Sequence, residues 1–253
     1  MNTCLIAEMT WQEYQSRIKD GVLIIPVGST EQHAPHSPLG VDIYLAEKFS
    51  IQLAQRIGAL VAPTINYGYK SQPKSGGGPL FPGTIDLNGS TLINLMQDIL
   101  KEFLADGWQK ILVLNAHFEN QPFLIEGADL VLRDQKEAFP KVIITSWYDN
   151  ISEELIPEIF NEVPFAGWEL EHAALVETSA MLYYRPELVH QEHIIDEGLD
   201  KVPTYSTFPP DPNLIPASGS LHTARSSSAQ KGQLMVEDAL KNIEKILEKE
   251  FII

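Results

Sequence analysis

Three potential metal ligands follow the first strongly apolar segment of the chain. Residues 22–27 (VLIIPV) are short and β-rich, which predicts a buried strand. Glu31 and His33 come soon afterwards and can face one site together, because alternate residues of an extended chain point the same way. A loop stiffened by prolines then brings back Asp42. Taken alone, this stretch fits equally well an exposed loop acid at Glu31 and a helix N-cap at Asp42.

A second pair of an acid and an imidazole follows another predicted strand. His117 and Glu119 come directly after residues 110–115 and repeat the earlier spacing. Neighbouring parallel strands end at the same edge of a sheet, so both loops are expected to meet there. Nitrogen and oxygen ligands without thiolates suit Zn²⁺ or Mn²⁺, and the set is larger than one catalytic zinc uses. We therefore predict two divalent metals bridged by Asp42, with the ligands Glu31, His33, Asp42, His117 and Glu119.

Such a centre predicts hydrolysis, because two metals lower the pKa of a bridging water molecule and supply a hydroxide nucleophile. Hydrolysis of an amide also needs a group that protonates the departing nitrogen. Glu171 and His172 precede a predicted helix, and an imidazole titrates near neutral pH. The alternative for His172 is a partly buried structural histidine at the helix start. The other histidines are predicted to be structural or exposed: His36, His190, His193 and His222.

The elements that must position these residues alternate between strands and helices. This order predicts an α/β fold with a mostly parallel sheet and helices on both faces. One domain over residues 1–253 is expected, because no shift in composition marks a linker. Strands are predicted at 22–28, 59–65, 110–115 and 141–147. Helices are predicted at 9–19, 44–57, 90–105, 121–135 and 226–250.

Three segments lack periodicity. Residues 66–86 contain three consecutive glycines and predict either a functional loop or a mobile surface loop. Residues 151–168 are mixed in character and predict a flap or an insertion. The proline-rich residues 203–220 are expected to pack as irregular surface structure or against a neighbouring subunit.

Composition excludes several classes of partner. The chain has 34 acidic and 18 basic residues and a net charge of −16, which disfavours nucleic acid and anionic membranes. The single Cys4 precludes an internal disulfide and fits a reducing compartment. The start of the chain lacks a basic region before its apolar run, and no apolar segment is long enough to cross a bilayer. We expect a soluble cytoplasmic protein that acts on a small molecule.

Five motifs are spread along the chain: residues 28–36 (GSTEQHAPH) with Asp42, 70–78 (KSQPKSGGG), 81–84 (FPGT), 115–120 (NAHFEN), and Glu171-His172 with 177–179 (ETS). Together they resemble the creatininase (creatinine amidohydrolase) family over essentially the whole chain. The resemblance implies a three-layer α/β/α sandwich, a dinuclear Zn/Mn centre and a homohexamer. It also implies the ligand set already predicted from the residues.

By the same resemblance, creatinine and water would give creatine, with His172 protonating the leaving nitrogen. Glu119 would take part in catalysis as well as in metal binding, and Glu171 and Trp168 would hold the substrate. Ser75 and the glycines after it, Gly76 and Gly77, match the loop that contacts the substrate in the creatinine-hydrolysing branch.

Three positions depart from the family pattern. Tyr148 stands where the substrate flap has Trp, Phe118 where Tyr is expected, and Ala34 where Gly is usual. Tyr148 and Phe118 are both predicted to contact the substrate. A site that loses a hydrogen-bonding group can shift strongly in specificity. Two alternatives therefore stay open: a family amidohydrolase acting on a formamide or peptide-like amide, and a catalytically idle metal-binding protein.

Overall fold

The computed structural model describes residues 3–251, in which the central sheet has four parallel strands. They are β1 (Leu23–Val27), β2 (Leu60–Val61), β3 (Lys110–Asn115) and β4 (Lys141–Ser146). Their order across the sheet is β2-β1-β3-β4. Val27 pairs with Asn115, and Asn115 pairs with Ser146. Three strands therefore end level with one another at the carboxyl edge, where the sequence predicts the metal site.

The helices agree with the predicted pattern, with boundaries that shift by a few residues. They are α1 (Trp11–Ile18), α2 (Val41–Ile57), α3 (Gly89–Asp106), α4 (Gln121–Leu132), α5 (Ile156–Ile159), α6 (Leu175–Tyr184) and α7 (Ala229–Phe251). Thr10 and Glu13 form the expected capping box on α1. Gly58 and Gly107 end α2 and α3 in the left-handed conformation that glycine adopts without strain.

Two of the sequence predictions need correction. The second strand spans only Leu60–Val61, because its ladder with β1 is interrupted after Ala62 and pairing returns only as a single bridge between Ile65 and Val27. Helix α2 begins at Val41, earlier than predicted, and Gly40 is its N-cap. Asp42 therefore lies buried inside the first turn of α2, which removes the N-cap interpretation of this residue.

The alternation of side chains along the strands builds two cores. On one face, Ile24, Leu112 and Leu114 pack with buried side chains of α2, α6 and α7. On the other, Ile25 and Val113 pack with α3 and α4. The three layers are thus helices, sheet and helices. This arrangement confirms the predicted α/β fold.

The segments without periodicity are irregular, as expected. Residues 66–86 contain one short 3₁₀ turn, Gly78–Leu80, and residues 151–168 form short turns around α5. Residues 203–220 have no helix or strand, and Gly219 near their end packs against Gln32. Within residues 3–251, no helix combines the length and the apolar character that crossing a membrane requires.

Candidate metal centre

Two asparagines join the loops that carry the candidate ligands. Asn115, the last residue of β3, donates from Nδ2 to His117 O at 2.7 Å and to Ser146 Oγ at 3.0 Å. Asn120 donates to Gly28 O at 3.0 Å and to Asn115 Oδ1 at 3.1 Å. Hydrogen bonds between buried polar groups fix loop geometry. The loops after β1 and β3 are therefore held together, as the parallel sheet predicts.

Gly28 lets the start of α2 approach the end of β1. A Cβ at this position would lie 2.7 Å from Asp42 C and 2.7 Å from Ile43 N. Only glycine leaves room for so close an approach of two backbone segments. The contact brings the Asp42 carboxylate to the sheet edge.

A first group of ligand atoms comes from Glu31, Asp42 and His117, which lie within 4.8 Å of one another. His117 Nδ1 is 2.7 Å from Glu31 Oε1 and 3.2 Å from Asp42 Oδ2. All three side chains are buried. Although burial opposes the shift, the charge of His117 lowers the pKa of Glu31.

A second group comes from His33, Asp42 and Glu177. His33 Nε2 is 3.4 Å from Asp42 Oδ1 and 3.5 Å from Glu177 Oε2. Burial opposes a charge on His33, but Glu177 and Asp42 outweigh it and raise its pKa to about 10. Asp42 therefore turns one carboxylate oxygen towards each group, which is the arrangement of a bridging ligand.

Glu119 lies outside both groups, although the sequence analysis counted it among the ligands. Its Oε1 accepts hydrogen bonds from the Ser75 hydroxyl and from Gln72 N. Its Oε2 is 3.4 Å from Nε2 of His117, the ring nitrogen opposite the one that faces the first group. Burial raises the pKa of Glu119. The carboxyl group is thus placed beside the ligand atoms rather than among them.

Glu177 belongs to the second group, although the sequence analysis did not count it among the ligands. It lies in the first turn of α6, and its Oε2 accepts a hydrogen bond from Ala173 N at 2.7 Å. Burial raises its pKa to about 8. The sequence does contain a sign of its burial: Glu177 is the single acid in the run AALVETSA, whose other residues are small or apolar. Such a run is more typical of a buried helix than of a surface helix.

Several ligand atoms of the two groups lack hydrogen-bond partners within residues 3–251. They are Glu31 Oε2, His33 Nε2, Asp42 Oδ1 and Asp42 Oδ2, and all are buried. Buried polar atoms are normally satisfied, because an unpartnered one costs about 1–3 kcal/mol. Carboxylates and imidazoles in this state suit divalent cations such as Zn²⁺ and Mn²⁺. The residues present therefore fit the two-metal centre predicted from the sequence.

His172 and Glu171 lie in the turn before α6, and His172 forms a further group of neighbouring ligand-type atoms with Glu31 and His33. His172 Nδ1 is 3.9 Å from Glu31 Oε1, and its ring packs against that of His33 with centroids 4.7 Å apart. Burial lowers the pKa of His172 to about 4. Burial also raises the pKa of Glu171 to about 7, although its carboxylate accepts a hydrogen bond from Val176 N at 2.9 Å.

A pocket opens onto this cluster. Its walls include six of the predicted site residues outside the ligand set: Ser75, Phe118, Tyr148, Trp168, Glu171 and His172. Phe118 stays 56% exposed, whereas the buried Trp147, which sequence reasoning did not assign, also lines the pocket. The two predicted glycines lie behind these walls. A Cβ on Gly76 would lie 3.0 Å from Glu31 Oε2, and Gly77 packs against Phe81 and Ile215.

The remaining histidines separate into buried and exposed residues. His36 is buried, with Nε2 3.0 Å from the Thr178 hydroxyl, and burial lowers its pKa to about 4. His190 and His193 are exposed, and their rings lie near each other with centroids 5.5 Å apart. His222 is half-buried. Their positions agree with the predicted structural or exposed roles.

Comparison with known proteins shows the family. The model of the family named Creatininase, described as creatinine amidohydrolase, matches residues 7–247. The chain belongs to the creatininase family. A creatinine amidohydrolase from Pseudomonas putida is 40% identical over 251 residues, which cover 97% of this chain and 96% of that protein. The likeness to this creatininase therefore extends beyond the motifs of the site.

Solved creatininase structures share the fold along the whole chain. A mutant creatininase complexed with creatine has 40% identity and a TM-score of 0.94, with 99% of each chain covered. A creatininase described as the Mn form gives the same values. A mutant described as the Zn-Zn type has 39% identity, a TM-score of 0.94 and the same coverage. Creatininases thus include zinc and manganese forms.

Proposed function

We propose that this protein hydrolyses creatinine to creatine with the help of two divalent metals. The observation that carries the proposal is the pair of buried ligand groups that share Asp42. This pair lies at the predicted sheet edge of a chain that resembles a creatinine amidohydrolase over its whole length. Creatinine is a cyclic amide, and opening its ring breaks the bond between the carbonyl carbon and a ring nitrogen.

The donor atoms divide between two metals. Glu31, Asp42 and His117 would hold one, and His33, Asp42 and Glu177 the other. Bound Zn²⁺ or Mn²⁺ supplies Lewis acidity and lowers the pKa of water towards neutrality. Glu177 thus takes the ligand position that the sequence analysis gave to Glu119.

The residues beside the metals are placed to accept and donate protons during the reaction. Glu119 is a buried acid with a raised pKa, held in place by Ser75 and Gln72, and it can take a proton from the attacking water. His172 faces the same pocket and can offer a hydrogen to the leaving ring nitrogen. Glu119 and His172 line the same pocket, so one small substrate can contact both.

The pocket walls suit a flat, polar and partly apolar ligand. Trp168 and Phe118 provide aromatic surface, while Glu171 provides a buried carboxyl group for the N–H groups of the substrate. Tyr148 and Phe118 replace family aromatic residues with other aromatic residues, so the apolar character of both positions is kept. Ser75 lines the pocket and contacts Glu119, which links the glycine loop to catalysis.

We also propose, from the family resemblance, a cytoplasmic homohexamer. Exposed apolar side chains on α4, Ile125 and Leu130, offer surface for contacts between subunits. The half-buried Cys4 fits a reducing compartment. Light scattering should give the mass of six subunits of 28.3 kDa each. A monomer or dimer mass would contradict the assembly.

A substrate assay on metal-loaded protein tests the function. The protein is stripped with a chelator, reloaded with Zn²⁺ or Mn²⁺, and incubated with creatinine, a formamide or a short linear peptide. We expect metal-dependent release of creatine and no cleavage of the other two amides. Cleavage of another amide without creatine release would favour a different amidohydrolase. Failure to bind metal would contradict the two-metal centre itself.

A further inference from the structure

The side chain of Gln32, which directly precedes His33, is buried against His172. It is 5% exposed and lies between Glu31 and His33 in the sequence. The sequence analysis gave it no role. Its contacts reach the glycine loop, the end of the proline-rich segment 203–220, and His172.

The orientation of the Gln32 amide is fixed by its neighbours. Oε1 accepts a hydrogen bond from Ala34 N at 2.8 Å. Nε2 donates to Gly76 O at 2.8 Å and lies 2.9 Å from Gly219 O. A flipped amide would set its NH₂ group against the Ala34 N–H and its oxygen against two carbonyl oxygens. The network therefore assigns the nitrogen to the side that faces the carbonyls.

The same nitrogen lies 2.8 Å from Nε2 of His172. An amide nitrogen can only donate, so a proton on His172 Nε2 would meet the hydrogens of the Gln32 NH₂ group. The favourable arrangement has a lone pair on Nε2 of the imidazole. The NH₂ group of Gln32 has two hydrogens and three neighbouring acceptors: Gly76 O, Gly219 O and His172 Nε2. One hydrogen is therefore shared between two acceptors, but Gln32 remains the donor towards His172.

We propose that Gln32 is a positioning residue that holds the His172 imidazole in the tautomer with its proton on Nδ1. His172 Nδ1 lies 3.9 Å from Glu31 Oε1, and the residue lines the pocket. Because Nε2 faces Gln32, Nδ1 is the nitrogen left to meet the substrate. Gln32 therefore makes His172 a hydrogen-bond donor towards the substrate. This inference rests on the proposed function, in which His172 meets the leaving ring nitrogen. Glu119 is then the group that carries the proton from the attacking water.

The backbone around Gln32 provides space for this arrangement. Gly219 has a φ of +84°, and a Cβ there would overlap Gln32 Oε1. A Cβ on Gly76 would overlap Ser71 Oγ and lie 3.3 Å from His172 Cε1. Both carbonyl acceptors belong to glycines, because a larger residue would push the amide or the ring away. Two separate loops thus converge on one amide group.

Nitrogen-15 NMR of zinc-loaded protein tests the tautomer directly. Histidine-labelled wild type is compared with His172→Gln, so that the lost signals identify the His172 ring. We expect a protonated Nδ1 and an unprotonated Nε2 in the wild type. A proton on Nε2 would overturn the proposal. The spectrum needs no substrate, so it is informative even if creatinine proves to be the wrong substrate.

Kinetics of Gln32→Met test the consequence. Methionine keeps the length and the buried surface but can no longer donate to His172. We expect kcat to fall about 10–100-fold with KM and metal content little changed, as for other supporting hydrogen bonds. We also expect the His172 ring signals to shift towards the other tautomer, and Gln32→Glu to shift them further because its carboxylate accepts from Nε2–H.

A matched control separates this role from a structural one. Gln52→Met removes another partly buried glutamine, which donates to Glu237 far from the pocket. It should lower stability slightly and leave kcat unchanged. If Gln32→Met lowered only the melting temperature and kept both kcat and the His172 tautomer, Gln32 would be a packing residue. If it lost metal, the wild-type spectrum would still decide the tautomer.

Discussion

The two walls of the site are built in different ways. The sheet edge presents ligands on or directly beside β1, β3 and α2, and the backbone pairing of parallel strands sets their positions. The loop wall is formed by irregular segments that turns, glycines and single hydrogen bonds hold in place. The sheet edge comprises Glu31, His33, Asp42 and His117. The loop wall comprises Ser75, Trp168, Glu171 and His172.

The difference between the two walls implies that residues of the sheet edge bind metal and residues of the loop wall act in turnover. The sheet edge has several buried ligand atoms without protein partners, so its natural occupants are cations. On the loop wall, Ser75 contacts Glu119 and one carboxylate oxygen of Glu171 accepts a hydrogen bond from Val176 N, while Glu171 Oε1 is the atom of this wall that is buried without a partner within residues 3–251. Substitutions at the edge should therefore cost metal. Substitutions in the loop wall should cost rate while the metals stay.

The largest effect is expected from Asp42→Ala. Both ligand groups lose a shared carboxylate, so both metals should be lost together. Activity should fall at least about 1,000-fold, since metals supply several kcal/mol of transition-state stabilisation. Elemental analysis and creatine release measure the two quantities. Asp129→Ala, an exposed acid on α4, is the control that should change neither. Two metals retained in Asp42→Ala would contradict its bridging role.

A comparison of Glu177→Gln with Glu119→Gln tests which of the two acids binds metal and which acts only in turnover. Glu177→Gln should reduce the metal content from two to one, because Glu177 belongs to the second ligand group. Glu119→Gln should keep both metals and lower kcat about 10²–10⁴-fold, as expected for a proton carrier. Metal analysis of both variants gives the answer. Loss of metal from Glu119→Gln alone would restore the ligand set predicted from the sequence.

His172→Gln tests the loop wall itself. We expect both metals to remain and kcat to fall about 100-fold, because one hydrogen-bond donor at the reacting nitrogen is lost. Stopped assays on metal-saturated protein measure kcat and KM separately. His193→Gln, at an exposed histidine, serves as the control. Turnover equal to that of the wild type would remove His172 from the mechanism.

A smaller effect concerns His36, which contacts the hydroxyl group of Thr178 on α6. Its pKa of about 4 lies below the ordinary value of about 6.5. The unfolded chain therefore binds more protons between these values, so the contribution of His36 to stability falls as the pH drops through this window. Urea unfolding of wild type and His36→Gln should show a weaker pH dependence in the variant. Parallel curves would exclude a neutral buried His36.

The smallest effect is expected from Phe118→Tyr. Phe118 lines the pocket but is largely exposed, so an added hydroxyl would form a hydrogen bond in competition with water. Such a bond contributes about 0.5–1.5 kcal/mol, which corresponds to a change in KM of roughly 2–10-fold. Kinetics with creatinine and with other cyclic amides measure it. A change in metal content would contradict the prediction that Phe118 contacts the substrate and not the metals.

The same contrast explains what the sequence could predict. Glu31, His33 and His117 follow apolar strands at short, regular spacing, and a parallel sheet leaves few ways to arrange such strands. The proximity of these side chains could therefore be predicted from pattern and chemistry. Asp42 also lies beside them, as the sequence analysis expected, although its helix begins earlier than its periodicity indicated.

The loop wall depended on contacts that no local pattern encodes. Glu177 reaches the site because Ala173, with a φ of +52°, turns the chain ahead of α6. Gln32 meets Gly219 across a separation of 187 residues. Both are tertiary contacts in irregular segments, where neither a period of two nor one of 3.6 applies. The ligand role of Glu119 stays a prediction: its spacing from His117 equals that of the first pair, but its carboxylate lies beside the ring nitrogen of His117 that faces away from Glu31 and Asp42.

The position of Glu177 also sets an order of events during synthesis of the chain. The first ligand group is complete once His117 has emerged, before β4 has been made. The second group has to wait for α6. A nascent chain paused between β4 and α6 therefore carries three ligands for one metal and only two for the other. We expect the two cations to enter one after the other, with the first able to assist the growing chain as it folds.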